Sequence, residues 1–134
     1  MTQSVLAFDF GMKYIGVAVG SSVTNTATPL SSIHARDGIP AWQEITTLLE
    51  RWQPCDLIVG LPLRMDGTEQ LMTKCALKFA ARLRGRYLLP VHMIDETLTT
   101  WQAKNQIADN RKLDAINANA AAIILTDWLQ IYPC

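Results

Sequence analysis

The 134-residue chain is poor in the features that most readily announce a protein class. Its three cysteines, Cys55, Cys75 and Cys134, are an odd number, with no Cys-x-x-Cys pair and no histidine at metal-ligand spacing. That pattern excludes a disulfide framework and a zinc site, and the three read as reduced thiols. Neither sign of charge is in excess: 12 basic and 12 acidic residues give a formal net charge of zero. No global field therefore draws the chain to nucleic acid or to a membrane, and a charged partner must be met by a local patch. No apolar run approaches the roughly eighteen residues of a transmembrane helix, and no basic segment precedes an apolar stretch at Met1-Thr2-Gln3-Ser4, so a cytoplasmic protein is expected. Gly-x-Gly-x-x-Gly is missing, which disfavours a dinucleotide fold. No internal repeat or low-complexity segment is present.

What is there is a folding composition. Hydrophobic residues make up 49% of the chain and charged residues 18%, enough for one domain, 1–134, around a single substantial core. Two short apolar runs, Ser4 to Phe10 and Ile15 to Gly20, read as a hairpin turning at Gly11-Met12-Lys13, and a third strand is expected around Leu30 to His34. Pro40 fits the first turn of a helix reaching Trp52, with Trp42, Ile45, Leu48, Leu49 and Trp52 at helical spacing and Pro54 ending it. Leu57-Ile58-Val59-Gly60 is a buried strand feeding a loop. The positions Leu71, Met72, Cys75, Ala76, Phe79, Ala80 and Leu83 give an amphipathic helix over Glu69 to Arg84. Val91 to Ile94 is another buried strand, and a short helix is expected from near Thr99 towards Ala108. Asp109-Asn110-Arg111-Lys112 reads as a loop and Asp114 to Ile131 as the last helix. Right-handed crossovers then give an α/β domain: a central mixed five-stranded sheet, its first three strands antiparallel and the later ones parallel, flanked by helices.

One acid is out of place in this pattern. Asp9 stands inside an apolar strand, where a carboxylate is disfavoured and, if buried, must be hydrogen-bonded, paired or bound to a cation. It either satisfies turn amides around Gly11 to Lys13 or belongs to a site. Glu96 directly follows the last strand, so two carboxylates distant in sequence can meet at adjacent strand ends. About 4 Å apart they would repel by roughly 4 kcal/mol at an effective dielectric near 20, and a proton or a cation must resolve that. Metal-assisted phosphoryl transfer uses such a pair, with hard oxygen ligands holding divalent ions.

Three ordered motifs resemble the YqgF family of Holliday junction resolvase-like proteins: Asp9-Phe10-Gly11-x-Lys13-x-Ile15-Gly16-Val17-Ala18-Val19, Val59-Gly60-Leu61-Pro62-Leu63-x-Met65-Asp66-Gly67-Thr68 and Asp95-Glu96-x-Leu98-Thr99-Thr100. The resemblance spans nearly the whole chain. It implies a ribonuclease H-like fold and a nuclease of ribosome biogenesis processing the 5′ end of pre-16S rRNA, with Mg2+ or Mn2+ as cofactor. The family's site is a trio of acids, of which Asp9 and Glu96 match the first two and are the implied metal ligands. Asn117 falls where the third, in the last helix, is expected. An amide offers magnesium a carbonyl oxygen but no charge and no base. Asp114, about one turn upstream, either substitutes for it or caps the helix.

Lys74, Lys78 and Arg82 recur every four residues and either track phosphates or form a solvated helix face. Lys13 lies four residues from Asp9, and Arg111 and Lys112 are placed to close over a nucleic-acid strand. Trp42, Trp52 and Trp128 fit apolar helix faces, whereas Trp101 follows Glu96 closely enough to stack on a base. His34 and His92 lack ligand partners at useful spacing, and His92 reads as structural. The partner is structured RNA or branched DNA, and the chain is a monomer or weak homodimer. Three function classes stay open: the rRNA nuclease, a Holliday junction resolvase acting on four-way DNA, and a non-catalytic nucleic-acid-binding module in which Asn117 has cost the chemistry.

Overall fold

The computed structural model describes residues 4–21, 23–24, 26–61, 71–95 and 110–131; the side chains at 61, 95, 110–117, 127, 130 and 131 lie outside the description. β1 (Ser4–Asp9) and β2 (Tyr14–Ser21) pair antiparallel through the expected turn. Gly11 is needed there, because a Cβ would run into the backbone carbonyl oxygen of Tyr14. The turn is pinned from outside: the Lys13 carbonyl accepts the Ala35 N–H at 2.7 Å and the Met12 carbonyl accepts the Gly38 N–H at 2.9 Å.

Two expectations near the sheet edge need correction. β3 (Thr26–Arg36) is longer than Leu30 to His34, because most of it is half-exposed and its sequence is correspondingly polar. Pro29 lies within it, opposite Ala18 where the register shifts, at a bulge position that proline tolerates and away from Ala35 and Arg36, which pair with β4. β4 (Ile39–Pro40) then folds back on Ala35 and Arg36. The turn between them is Asp37-Gly38, with φ of 52° and 80°, the pair of positive angles that a two-residue hairpin demands. The sheet therefore has six strands rather than five, and Pro40 belongs to a strand. α1 (Trp42–Trp52) starts beyond it and stops at Gln53, which takes the left-handed conformation ahead of Pro54.

β5 (Asp56–Leu61) and β6 (Val91–Asp95) run parallel to β1, giving the strand order β4-β3-β2-β1-β5-β6. α2 (Leu71–Tyr87) links β5 to β6, and α3 (Asn110–Ile131) follows. Asn110, Arg111 and Lys112 are thus the first turn of α3, not a loop; polar residues suit a helix start as well as they suit a turn. The short helix expected over Thr99 to Ala108 lies outside the described residues.

The alternation of β1 divides the core into two layers. Leu6, Phe8 and Phe10 face α1 and α2, packing with Ile45, Ala76, Phe79 and Leu83. Val5 and Ala7, with Ala18 and Ile58, face Ala121, Ile124, Leu125 and Trp128 of α3. Phe79 centres the first layer, stacked on Trp42 at 5.9 Å and edge-on to Phe8 at 5.7 Å. Each such buried aromatic contributes about 1.5–3 kcal/mol. The right-handed crossover from β5 through α2 to β6 puts α2 on the same face as α1 and leaves the other to α3.

Candidate active site

Asp9 is the last residue of β1 and is 1% exposed. Period-two alternation sets it on the Val5 and Ala7 face, the layer covered by α3. It stands at the carboxyl end of the strand where the sheet changes from antiparallel to parallel pairing, the edge at which open α/β sheets bind ligands. Its cross-strand neighbours are Gly16 on β2 and Gly60 on β5. Neither side of the carboxylate is therefore flanked by a side chain from an adjacent strand. These two glycines escaped the sequence reading, and their signal was a glycine inside each of two apolar strands, a mark of close approach.

Gly60 also sets the height of α3 over the sheet. A Cβ at Gly60 would stand 2.5 Å from Ile124 Cδ1, and one at Gly20 would stand 2.7 Å from Leu125 Cδ2. Ile124 and Leu125 of α3 lie over these bare positions, and with the buried Ala121 they roof the layer that holds Asp9.

The other sequence-predicted residues distribute as follows. Glu96 lies outside the described residues, one position beyond the end of β6. Asp114, Asn117, Arg111 and Lys112 belong to α3, and their side chains lie outside the description. Lys13 is exposed on the hairpin turn. Lys74, Lys78 and Arg82 are exposed on α2, which packs on the layer opposite Asp9. Trp42 and Trp52 pack at the margin of the first layer and Trp128 is buried in the second; Trp101 lies outside the described residues. His92 does have a partner: its Nε2 is 3.0 Å from Asp56 Oδ1, and its ring lies 5.3 Å from that of Trp128. Asp56 pairs in register with Val5, four residues or about 13 Å along the strand from Asp9, so this pair belongs to the opposite edge of the sheet. A cavity of about 300 Å³ between β3 and α1, lined by Ser31, Ser32, Gln43, Glu44 and Thr47, also lies away from the Asp9 layer.

A hard, buried carboxylate beside two glycines fits a divalent cation as one of its oxygen ligands. Among the described residues no three His, Cys, Asp or Glu side chains form a group that could hold a metal ion. Among the same residues no helix is long and apolar enough to cross a membrane.

A family model described as RuvX, Holliday junction resolvase, matches residues 3–131. The chain belongs to the RuvX family. A Glaesserella parasuis protein named "Putative pre-16S rRNA nuclease" is 50% identical over 135 residues, covering 97% of this chain and 98% of the relative. A Haemophilus ducreyi protein of the same name is 48% identical, covering 99% and 100%. Among solved structures, Thermus thermophilus RuvC in complex with a Holliday junction substrate aligns with a TM-score of 0.57 at 17% identity, over 96% of this chain and 94% of that one. The Fowlpox virus resolvase bound to Holliday junction DNA aligns with a TM-score of 0.55 at 14% identity, over 95% and 99%. This RuvX chain therefore has the ribonuclease H-like fold of the resolvases, and nucleases of that fold generally work with divalent metal ions.

Proposed function

We propose that this RuvX-family protein is a metal-dependent endonuclease that hydrolyses a phosphodiester bond at the 5′ end of precursor 16S rRNA. The observation that carries the reading is Asp9: an acid buried at the carboxyl end of the central strand, flanked by two glycines, in a chain half-identical to proteins named for that activity. Asp9 and Glu96 would hold Mg2+ or Mn2+. β6 ends one residue before Glu96, parallel to β1 and one strand removed from it, which supports bringing the two acids to one edge.

The third corner falls to α3. Asn117 precedes Ala121 by four residues and Ile124 by seven, the spacing of one helix face, and Asp114 precedes Ala118 and Ala121 likewise. An Asn carbonyl supplies an oxygen without charge, and Asp114 supplies charge one turn earlier. When bound, a divalent cation contributes Lewis acidity toward the phosphoryl group and water. The chain's own part is to fix the carboxylates. The packed β1 backbone and the roof of α3 hold Asp9 in place and keep bulk water from its inner side, which strengthens its electrostatic action. Lys13, exposed on the turn four residues on, is positioned to neutralise a phosphate approaching that edge.

A second reading, cleavage of four-way DNA junctions, is favoured by the description of the family and by fold neighbours solved on such junctions. One experiment tests both: purified protein is incubated with a precursor rRNA 5′ segment and with a four-way DNA junction, with and without Mg2+ or Mn2+. Metal-dependent RNA cleavage that Asp9→Ala abolishes is the expected result. Cleavage unchanged in Asp9→Ala would overturn the assignment.

A further inference from the structure

Charge on the α1–α2 layer is strongly polarised although the chain is neutral overall. α2 carries Lys74, Lys78, Arg82, Arg84 and Arg86 and not one acidic residue over 17 positions, whereas α1 beside it carries two glutamates and one arginine. The five cations are not equivalent. Arg84 donates from Nη2 to the Val91 carbonyl at 3.3 Å, and the Arg86 guanidinium lies 4.2 Å from the Trp42 ring centroid, so both serve the fold. At about 100° per residue these two flank the buried face of the helix. Lys74, Lys78 and Arg82 fall within an arc of roughly 80° almost opposite the buried face, are exposed, and make no ion pair among the described residues.

Their place in the fold is as telling as their charge. α2 leaves the carboxyl edge of β5 and returns to the amino end of β6, so Lys74 is nearest the edge that carries Asp9 and Arg82 lies roughly 12 Å farther down the outer face. The sheet separates all three from the layer that contains Asp9.

We infer that Lys74, Lys78 and Arg82 form an RNA-backbone exosite, a stripe that grips the phosphates of a duplex flank while the scissile bond lies at the carboxyl edge of the sheet. The inference rests on the RNA nuclease reading above and adds where the rest of the substrate lies. Three cations in line, with no ion-pair partner among the described residues, complement a polyanion and would repel the same stripe on a second copy of the chain, which makes a nucleic-acid flank the occupant that fits. Phosphate contacts of this kind position without reading sequence.

The test compares Asp9→Asn protein with the same protein carrying Lys74→Gln, Lys78→Gln and Arg82→Gln, by anisotropy titration of labelled RNA hairpins at several salt concentrations. At about 0.9 counterions per neutralised phosphate, three lost contacts flatten the log–log salt slope by about 2.7, so between 50 and 200 mM salt the parent loses about 40-fold more affinity than the triple variant. The difference should vanish for hairpins whose A-form flank is shorter than about four base pairs, too short to span the stripe. An unchanged slope would overturn the exosite, and so would a loss independent of flank length, which would put the contacts at the reacting phosphate. A larger slope change on duplex DNA than on RNA would overturn the RNA assignment. Circular dichroism and the thermal transition establish that the triple variant is folded. Cleavage by the wild-type protein is measured in parallel: its failure counts against the nuclease reading and leaves the slope comparison intact.

Discussion

Gly60 lies directly against Ile124: a Cβ there would come within 2.5 Å of Ile124 Cδ1 and force the end of that buried side chain to shift. Because Gly60 is also the cross-strand neighbour of Asp9, the contact that seats α3 on the sheet and the bareness beside the carboxylate are one feature.

Gly60→Ala should therefore destabilise the fold by about 1–3 kcal/mol through overpacking, read as a lower urea midpoint with an unchanged slope. Ile124→Val removes the Cδ1 that the new methyl would meet. The double variant should be more stable than the sum of the two single changes predicts; strict additivity would show that strain at Gly60 arises elsewhere.

Asp9→Asn keeps the shape of the side chain and removes its charge. Cleavage of precursor rRNA should fall at least a hundredfold, the equivalent of about 2.7 kcal/mol in transition-state stabilisation, while the thermal transition stays within a few degrees of the parent, since neutralising a buried carboxylate relieves desolvation. A large drop in stability with residual cleavage would make Asp9 a structural acid.

Asn117→Asp adds a charge to the α3 corner of the proposed site. Ligand charge raises affinity for hard cations, so the Mg2+ concentration giving half-maximal cleavage should fall several-fold. Asp114→Asn should raise it. If only Asp114→Asn has an effect, that residue supplies the third ligand.

Leu88, 86% exposed, holds a left-handed conformation with φ of 56° just beyond α2, where its N–H bonds the Arg84 carbonyl at 3.1 Å. The conformation costs a β-carbon about 1–2 kcal/mol, and so little of the side chain is buried that truncation forfeits little packing. Leu88→Gly should stabilise the protein by about 0.5–1 kcal/mol after the loss of chain stiffness in the unfolded state, measured by chemical denaturation.

How much of this was legible depends on which interactions are local. Strands β1, β2 and β5 were readable because they are largely apolar on both faces, and Asp9 was readable as the exception among them; β6, expected as a buried strand, is the outer strand of the sheet and only half-buried from His92 to Ile94. β3 was underestimated since a strand with Thr28 and Ser31 exposed, whose outer side meets the two-residue β4 at Ala35 and Arg36, resembles a loop, although Asp37-Gly38 carried a hairpin signal for β4. The start of α3 was missed because Asn110 to Lys112 have no apolar residue to mark the period. At the site, the charge run on α2 could be read from spacing. Its placement across the sheet from Asp9 could not, because that follows from crossover handedness and strand order, which no local pattern encodes.

The second core layer has a history as well as a geometry. Val5, Ala7, Ala18 and Ile58 are made early, while the helix that covers them spans Asn110–Ile131, late in the chain. During synthesis at about 5–20 residues per second, that apolar face stays uncovered for seconds after the sheet can form. The nascent chain is then adhesive, and it gains solubility and the α3 corner of the proposed site in the same docking event.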